Sequence, residues 1–199
     1  MTTPSKHQSE RETRTKHWQI GQAARIVSAG GVIAYPTEAV YGLGCDPRNG
    51  DAVLRLLELK NRPMNKGLIL IAAEFSALQP YLASINAATL TKLRRSWPGP
   101  VTWVLPARPE IPFWLCGNHA SLAVRVTAHP LTAALCRACG GVLISTSANI
   151  SNRPPARSAL AVRRNFGAGI DYVLSGALGG RDKPTPIYDA VSGRVVRAA

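Results

Sequence analysis

At 199 residues the chain has the length of one domain with a full core, and its 46% apolar content is that of a folded globular protein. No apolar run is long enough to span a bilayer and the first residues are polar, without a signal-peptide pattern, so the reading is a soluble, cytoplasmic protein with no membrane association. Charge is the outlier: 24 basic against 11 acidic residues give +13, residues 1–17 hold only +2 of it, and a body at +11 attracts polyanions such as nucleic acid or a nucleotide triphosphate.

Residues 1–16 are rich in Ser, Thr, Lys, Arg and Glu without periodicity and read as an unstructured tail ahead of a single domain at 17–199. Trp18, Ala23, Ile26 and Val27 fit a helix over 18–29 that Gly30 ends. A buried strand, Val32-Ile33-Ala34-Tyr35, stops at Pro36, which cannot donate to a ladder. Thr37, Glu38, Gly42 and Gly44 follow, and polar residues with glycines after a strand read as a loop at a ligand site. Asn49 caps a helix over 52–59 that delivers Lys60, Arg62 and a terminating Pro63.

Further along, 67–72 reads as a buried strand, 74–82 and 86–97 as helices, 101–105 as a strand and 106–118 as a Pro-rich connection. The two-residue period of a strand over 121–126 puts Ser121, Ala123 and Arg125 on one face. A helix over 129–139 precedes the apolar strand Val142-Leu143-Ile144, which runs into Ser145-Thr146-Ser147-Ala148-Asn149. A basic helix is expected over 157–166, a short strand at 172–174, a Gly/Pro loop over 175–186 and a closing hairpin over 187–197 turning at Ser192-Gly193. Helices and strands interleave throughout, which predicts an α/β fold with a twisted mixed sheet.

The four cysteines include one CxxC, Cys136 to Cys139, with no second pair to complete a zinc site, so reduced structural thiols are the better reading and no metal ligand is assigned. GxxxxGK[ST], HExxH and GxSxG are absent. The chain instead offers cations and short hydroxyl or amide side chains at element ends: Thr37, Lys60, Arg62, Arg125, Ser145, Thr146, Ser147, Asn149, Arg157 and Arg197. Such a set suits positioning and charge neutralisation in phosphoryl or nucleotidyl transfer.

Five motifs in order resemble the YrdC family: the run from Tyr35 to Gly44, Lys60-x-Arg62-Pro63, Trp97-Pro98-Gly99-Pro100-Val101-Thr102, Ala123-Val124-Arg125, and the run from Ser145 to Ser151. The resemblance covers 18–199 and implies a twisted α/β sheet with a basic concave face. It also implies a nucleotidyltransferase that converts L-threonine, bicarbonate and ATP to L-threonylcarbamoyl-adenylate and pyrophosphate. That is the first step toward the threonylcarbamoyl group on adenosine 37 of tRNAs reading codons that start with A.

Residue by residue, the resemblance implies that Thr37, Arg125 and Ser147 contact threonine, and that Lys60, Arg62, Ser147 and Asn149 form the catalytic set. Lys60, Arg62, Ser121, Asn149, Arg157 and Arg197 would contact ATP, with Mg²⁺ accompanying it and no protein ligand assigned. A downstream threonylcarbamoyl-transferase complex is the implied recipient, and tRNA or double-stranded RNA a further partner. Asn152 stands where the family usually has glycine, Ile71 where longer members carry a histidine, and Thr185-Pro186 where many have Ser-Thr or Ser-Glu. The runner-up is a non-catalytic double-stranded RNA or tRNA-binding module or ribosome-maturation factor using the basic surface.

Overall fold

The computed structural model describes residues 6–198. One nine-stranded mixed sheet organises them, in the order β7-β1-β2-β6-β3-β5-β4-β8-β9. In chain order these strands are β1 (Ile33–Pro36), β2 (Tyr41–Gly44), β3 (Ile69–Ala72), β4 (Thr102–Pro106), β5 (Ser121–Val126), β6 (Val142–Ser147), β7 (Tyr172–Val173), β8 (Ile187–Asp189) and β9 (Val195–Arg197). The helices are α1 (Lys6–Ser28), α2 (Gly50–Lys60), α3 (Phe75–Leu78), α4 (Ala87–Arg94), α5 (Phe113–Cys116), α6 (Pro130–Ala138) and α7 (Ala159–Phe166).

Strand alternation sorts the sheet into two unlike faces. Ala34, Leu43, Leu70, Leu105, Leu122, Val124 and Ile144 pack with α2 residues Val53, Leu56 and Leu57 into the larger core. On the other face Ile33, Tyr35, Ile71 and Leu143 meet Ala23 and Val27 of α1 and Leu135 and Cys136 of α6. The same face continues, by pairing register, through Gly42, Ser145, Ser147, Ile69, Ala123 and Arg125. These residues line a cavity instead of packing under a helix. The sheet therefore carries a sealed half and an open half on one side.

Two expectations are corrected, over 37–44 and over 106–118. Residues 37–44, expected as a glycine loop, include strand β2, paired antiparallel with β1 and β6. Gly44 serves close approach: a Cβ there would lie 2.2 Å from the Ile144 carbonyl oxygen and 2.9 Å from the Tyr35 ring. Gly44→Ala is accordingly expected to destabilise the fold by about 3 kcal/mol in denaturant unfolding, and an unchanged midpoint would contradict this packing.

Helix α1 begins at Lys6, within the segment read as a tail, and residues 1–5 lie outside the described ones. No Gly or Pro interrupts 6–20, so a helix nucleated on the packed segment around Ala23 and Val27 can propagate backwards. The Pro-rich connection over 106–118 contains the short helix α5, which closes one side of the cavity. Asn152 takes φ +66, so asparagine does supply the positive φ that glycine usually would. The helix expected over 129–139 ends at Ala138, with Cys139 as its cap. Cys136 is buried, its thiol facing the Ile71 carbonyl at 3.6 Å.

Candidate active site

Two loop segments bring the site together. Helix α2 starts where the Asn49 side chain accepts from the Ala52 N–H, and it ends at Asn61 in the left-handed region at φ +49. That turn lets Lys60 point inward while Arg62 runs toward the cavity. Strand β6 carries Ser145 and Ser147 along its open face and then turns at Asn149.

Lys60 is only 3% exposed and does not line the cavity. Its Nζ donates to the Ser147 carbonyl at 2.5 Å, the Asn149 carbonyl at 2.7 Å and Asn149 Oδ1 at 3.4 Å. Ser147 Oγ donates to the same Oδ1 at 2.6 Å, and Asn149 Nδ2 donates to the Ile150 and Arg153 carbonyls. The Ser151 N–H returns a bond to the Lys60 carbonyl at 2.9 Å. Lys60 thus fastens the β6 turn to the end of α2. Burial, with Arg62 nearby, lowers its ammonium to about 8, so it remains charged at neutral pH.

The cavity has a volume of about 730 Å³, within the range of small-molecule sites. Thr37, Arg62, Ser121, Arg125, Ser147, Asn149 and Arg197 all line it. Thr37 Oγ1 donates to the Val40 carbonyl at 2.7 Å, which fixes the turn between β1 and β2. Arg62 Nη2 donates to the Gly67 carbonyl at 2.9 Å, while its buried Nε has no protein acceptor. Arg125 Nη1 donates to Thr185 Oγ1 at 2.7 Å, and Arg197 Nη2 donates to the Thr185 carbonyl at 2.8 Å. Burial, then the charges of Arg125 and Arg62, push the Arg197 guanidinium below its usual value. Arg197 therefore feels both of the other guanidiniums across one cavity.

Arg157, expected to contact ATP, lies outside this lining. It donates to the Asp182 and Arg181 carbonyls and pairs with the Asp182 carboxylate at 3.7 Å, bracing the loop over 175–186. Ile71 is fully buried, and its apolar side chain packs in the sealed half of the sheet.

Three residues without an assigned role enter the site. Thr185 bridges Arg125 and Arg197, Glu38 pairs with Arg125 at 3.7 Å, and Thr127 donates to Glu38 at 2.6 Å. The signals were a hydroxyl held between Pro184 and Pro186, and an acidic residue inside an otherwise cationic set.

The fit of a divalent cation is decided by the carboxylates. Among the described lining residues Asp189 alone is acidic, and its Oδ1 accepts from the Val191 and Ser192 N–H groups at 2.9 and 2.7 Å. No group of three or more His, Cys, Asp or Glu residues among the described ones is placed to hold a metal. A protein-built metal cage does not fit these residues.

Comparison with known proteins gives the arrangement its relatives. The Sua5/YciO/YrdC family model, described as "Telomere recombination", matches residues 25–199. A threonylcarbamoyl-AMP synthase of Nitrosococcus oceani is 55% identical over 181 residues, which make up 91% of this chain and 98% of that one. One from Halorhodospira halophila is 57% identical over 183 residues, 92% of this chain and 96% of that one. The crystal structure of P. abyssi Sua5 complexed with L-threonine superposes with a TM-score of 0.82 at 33% identity, covering 86% of this chain and 51% of that one.

Proposed function

Since the chain belongs to the Sua5/YciO/YrdC family, we propose that its cavity joins L-threonine, bicarbonate and ATP into L-threonylcarbamoyl-adenylate and pyrophosphate. Its activity is that of a threonylcarbamoyl-AMP synthase, a nucleotidyltransferase of tRNA modification. The observation that carries the reading is the convergence of Arg62, Arg125 and Arg197 on one cavity floored by small and hydroxyl residues.

The chemistry explains why such a floor is needed. Threonine first adds bicarbonate at its amine to give a carbamate with loss of water. A carbamate oxygen then attacks the α-phosphorus, and pyrophosphate leaves. An anion approaches an anion, so charge must be neutralised before the reacting atoms can come within reach.

Arg125 is the clamp for the threonine carboxylate, whose two oxygens match a guanidinium fork. Thr37 and Ser147 complete the threonine contacts. Arg62 and Arg197 take the phosphates, while Ser121 and Asn149 orient the nucleotide. Lys60 acts in the catalytic set through the Ser147–Asn149 backbone that it holds. Arg157 serves ATP only through the loop it braces. Mg²⁺ accompanying ATP would be held by the phosphates and not by a protein-built cage, and would supply neutralisation of phosphate charge.

The product passes to a threonylcarbamoyl-transferase complex that modifies adenosine 37 of tRNA in the cytoplasm. The basic concave face implied by the sequence is the surface that meets RNA. A binding module alone would spread cations along a face, whereas these three arginines face inward beside hydroxyls. The purified protein is expected to release pyrophosphate only when threonine, bicarbonate and Mg-ATP are all present. Release independent of threonine would overturn the assignment.

A further inference from the structure

Glu38 follows Pro36 and Thr37 directly, at the point where β1 ends. Its carboxylate is only 5% exposed and stands outside the cavity lining, behind Arg125. Oε1 accepts from Thr127 Oγ1 at 2.6 Å. Oε2 lies 3.7 Å from Arg125 Nη2, and neither Oε2 nor Arg125 Nε has a hydrogen-bond partner. The backbone is held as well: the Arg181 N–H donates to the Glu38 carbonyl and the Gly179 N–H to that of Thr37. A Cβ at Gly179 would come within 2.8 Å of Glu38 Cα, so the loop fits this close only through glycine.

Two consequences follow for Arg125. Among the described residues Glu38 is the one carboxylate paired with any of the three cavity arginines, so it offsets the repulsion between Arg125 and Arg197. Burial alone would raise the Glu38 carboxyl, but Arg125 and then the Thr127 hydroxyl bring it below its ordinary value, which keeps it ionised at neutral pH. At 3.7 Å the pair directs the guanidinium without engaging its N–H groups in short bonds. Of five donors, one goes to Thr185, and enough remain for a carboxylate to be taken two-pronged.

We infer that Glu38 is the positioning residue that sets Arg125 for the threonine carboxylate, acting from behind the cavity wall without touching substrate. The inference rests on the reading of Arg125 as the carboxylate clamp. Glu38 is thereby a determinant of threonine affinity and not of ATP affinity. A merely structural buried pair would instead lower stability and move both substrates together or neither.

The test measures KM for threonine and for ATP by pyrophosphate release, with direct calorimetric titration of threonine, in Glu38→Gln, Glu38→Asp and Arg125→Ala. Glu38→Gln is expected to raise the threonine KM and Kd about tenfold or more while the ATP KM stays within about twofold. Glu38→Asp, which keeps the charge, should recover part of the loss. An unchanged threonine KM in folded Glu38→Gln, or equal shifts for both substrates, overturns the inference. If Glu38→Gln does not fold, Thr127→Val carries the same test, since it frees Oε1 but keeps the carboxylate; a selective threonine loss of about threefold supports the inference, and none overturns it. Arg125→Ala separates the two readings. If it leaves threonine affinity intact the clamp itself is wrong, whereas its loss together with an unaffected Glu38→Gln removes only the role given to Glu38.

Discussion

Lys60→Met is expected to lower turnover about a thousandfold while leaving a folded chain. The substitution keeps the length and the apolar stem but removes the donor that holds the Ser147 and Asn149 carbonyls and Asn149 Oδ1. Three oxygens then lose a buried partner, which costs about 2–3 kcal/mol of stability and frees the turn that carries two cavity residues. Circular dichroism with a denaturant midpoint measures the first effect, and pyrophosphate release the second. Wild-type turnover in this variant would remove Lys60 from the catalytic set.

The same ammonium predicts opposite pH trends for activity and stability. Burial and Arg62 bring it to about 8 from an ordinary 10.5. Between those values the unfolded chain holds the proton and the folded one has released it, so stability rises with pH, by up to about 3 kcal/mol in total. Below about 8 both states are charged and that gain is absent. Activity moves the other way, because a neutral amine donates one bond fewer to the turn. The kcat/KM profile is expected to fall above about pH 8 in the wild type and to show no such limb in the residual activity of Lys60→Met.

Arg62→Ala is expected to remove turnover by about a thousandfold or more, with stability unchanged or raised by up to about 1 kcal/mol. The gain has a physical source. Burial penalises the Arg62 charge, and its guanidinium adds to the repulsion felt by Arg197. A residue with the phosphate role we propose for Arg62 is thus a burden to the fold without its ligand. Arg62→Lys should recover little activity, because a point charge does not reproduce the planar fork. A marked stability loss in Arg62→Ala would show that its bond to Gly67 is its main role.

Much of this was legible before any coordinates. The two-residue period put Ser121, Ala123 and Arg125 on one face, and all three line the cavity. Pro36 ended β1 as a missing donor requires, and the Ser192-Gly193 turn joined β8 to β9. Strand β2 was obscured because two of its four residues are glycine, which local preference assigns to turns. The reason for Gly44 is the closeness of Ile144 on the neighbouring strand, and no local pattern carries that. Arg157 reads like any other cation near a helix start, and its contacts with Asp182, 25 residues away, appear only in the assembled fold.

By itself the order of residues determined which chemistry was available: an α/β frame, with cations and hydroxyls at strand and helix ends. Those features depend on local period and residue type, which a linear chain displays. Only the tertiary structure decided how the cations divide the work. Lys60 turned away from the cavity to hold backbone, Arg62, Arg125 and Arg197 turned into it, and Glu38 and Thr185 joined them from distant segments. Charge interactions act through space across strands far apart in sequence, so their partners appear only once the sheet has assembled.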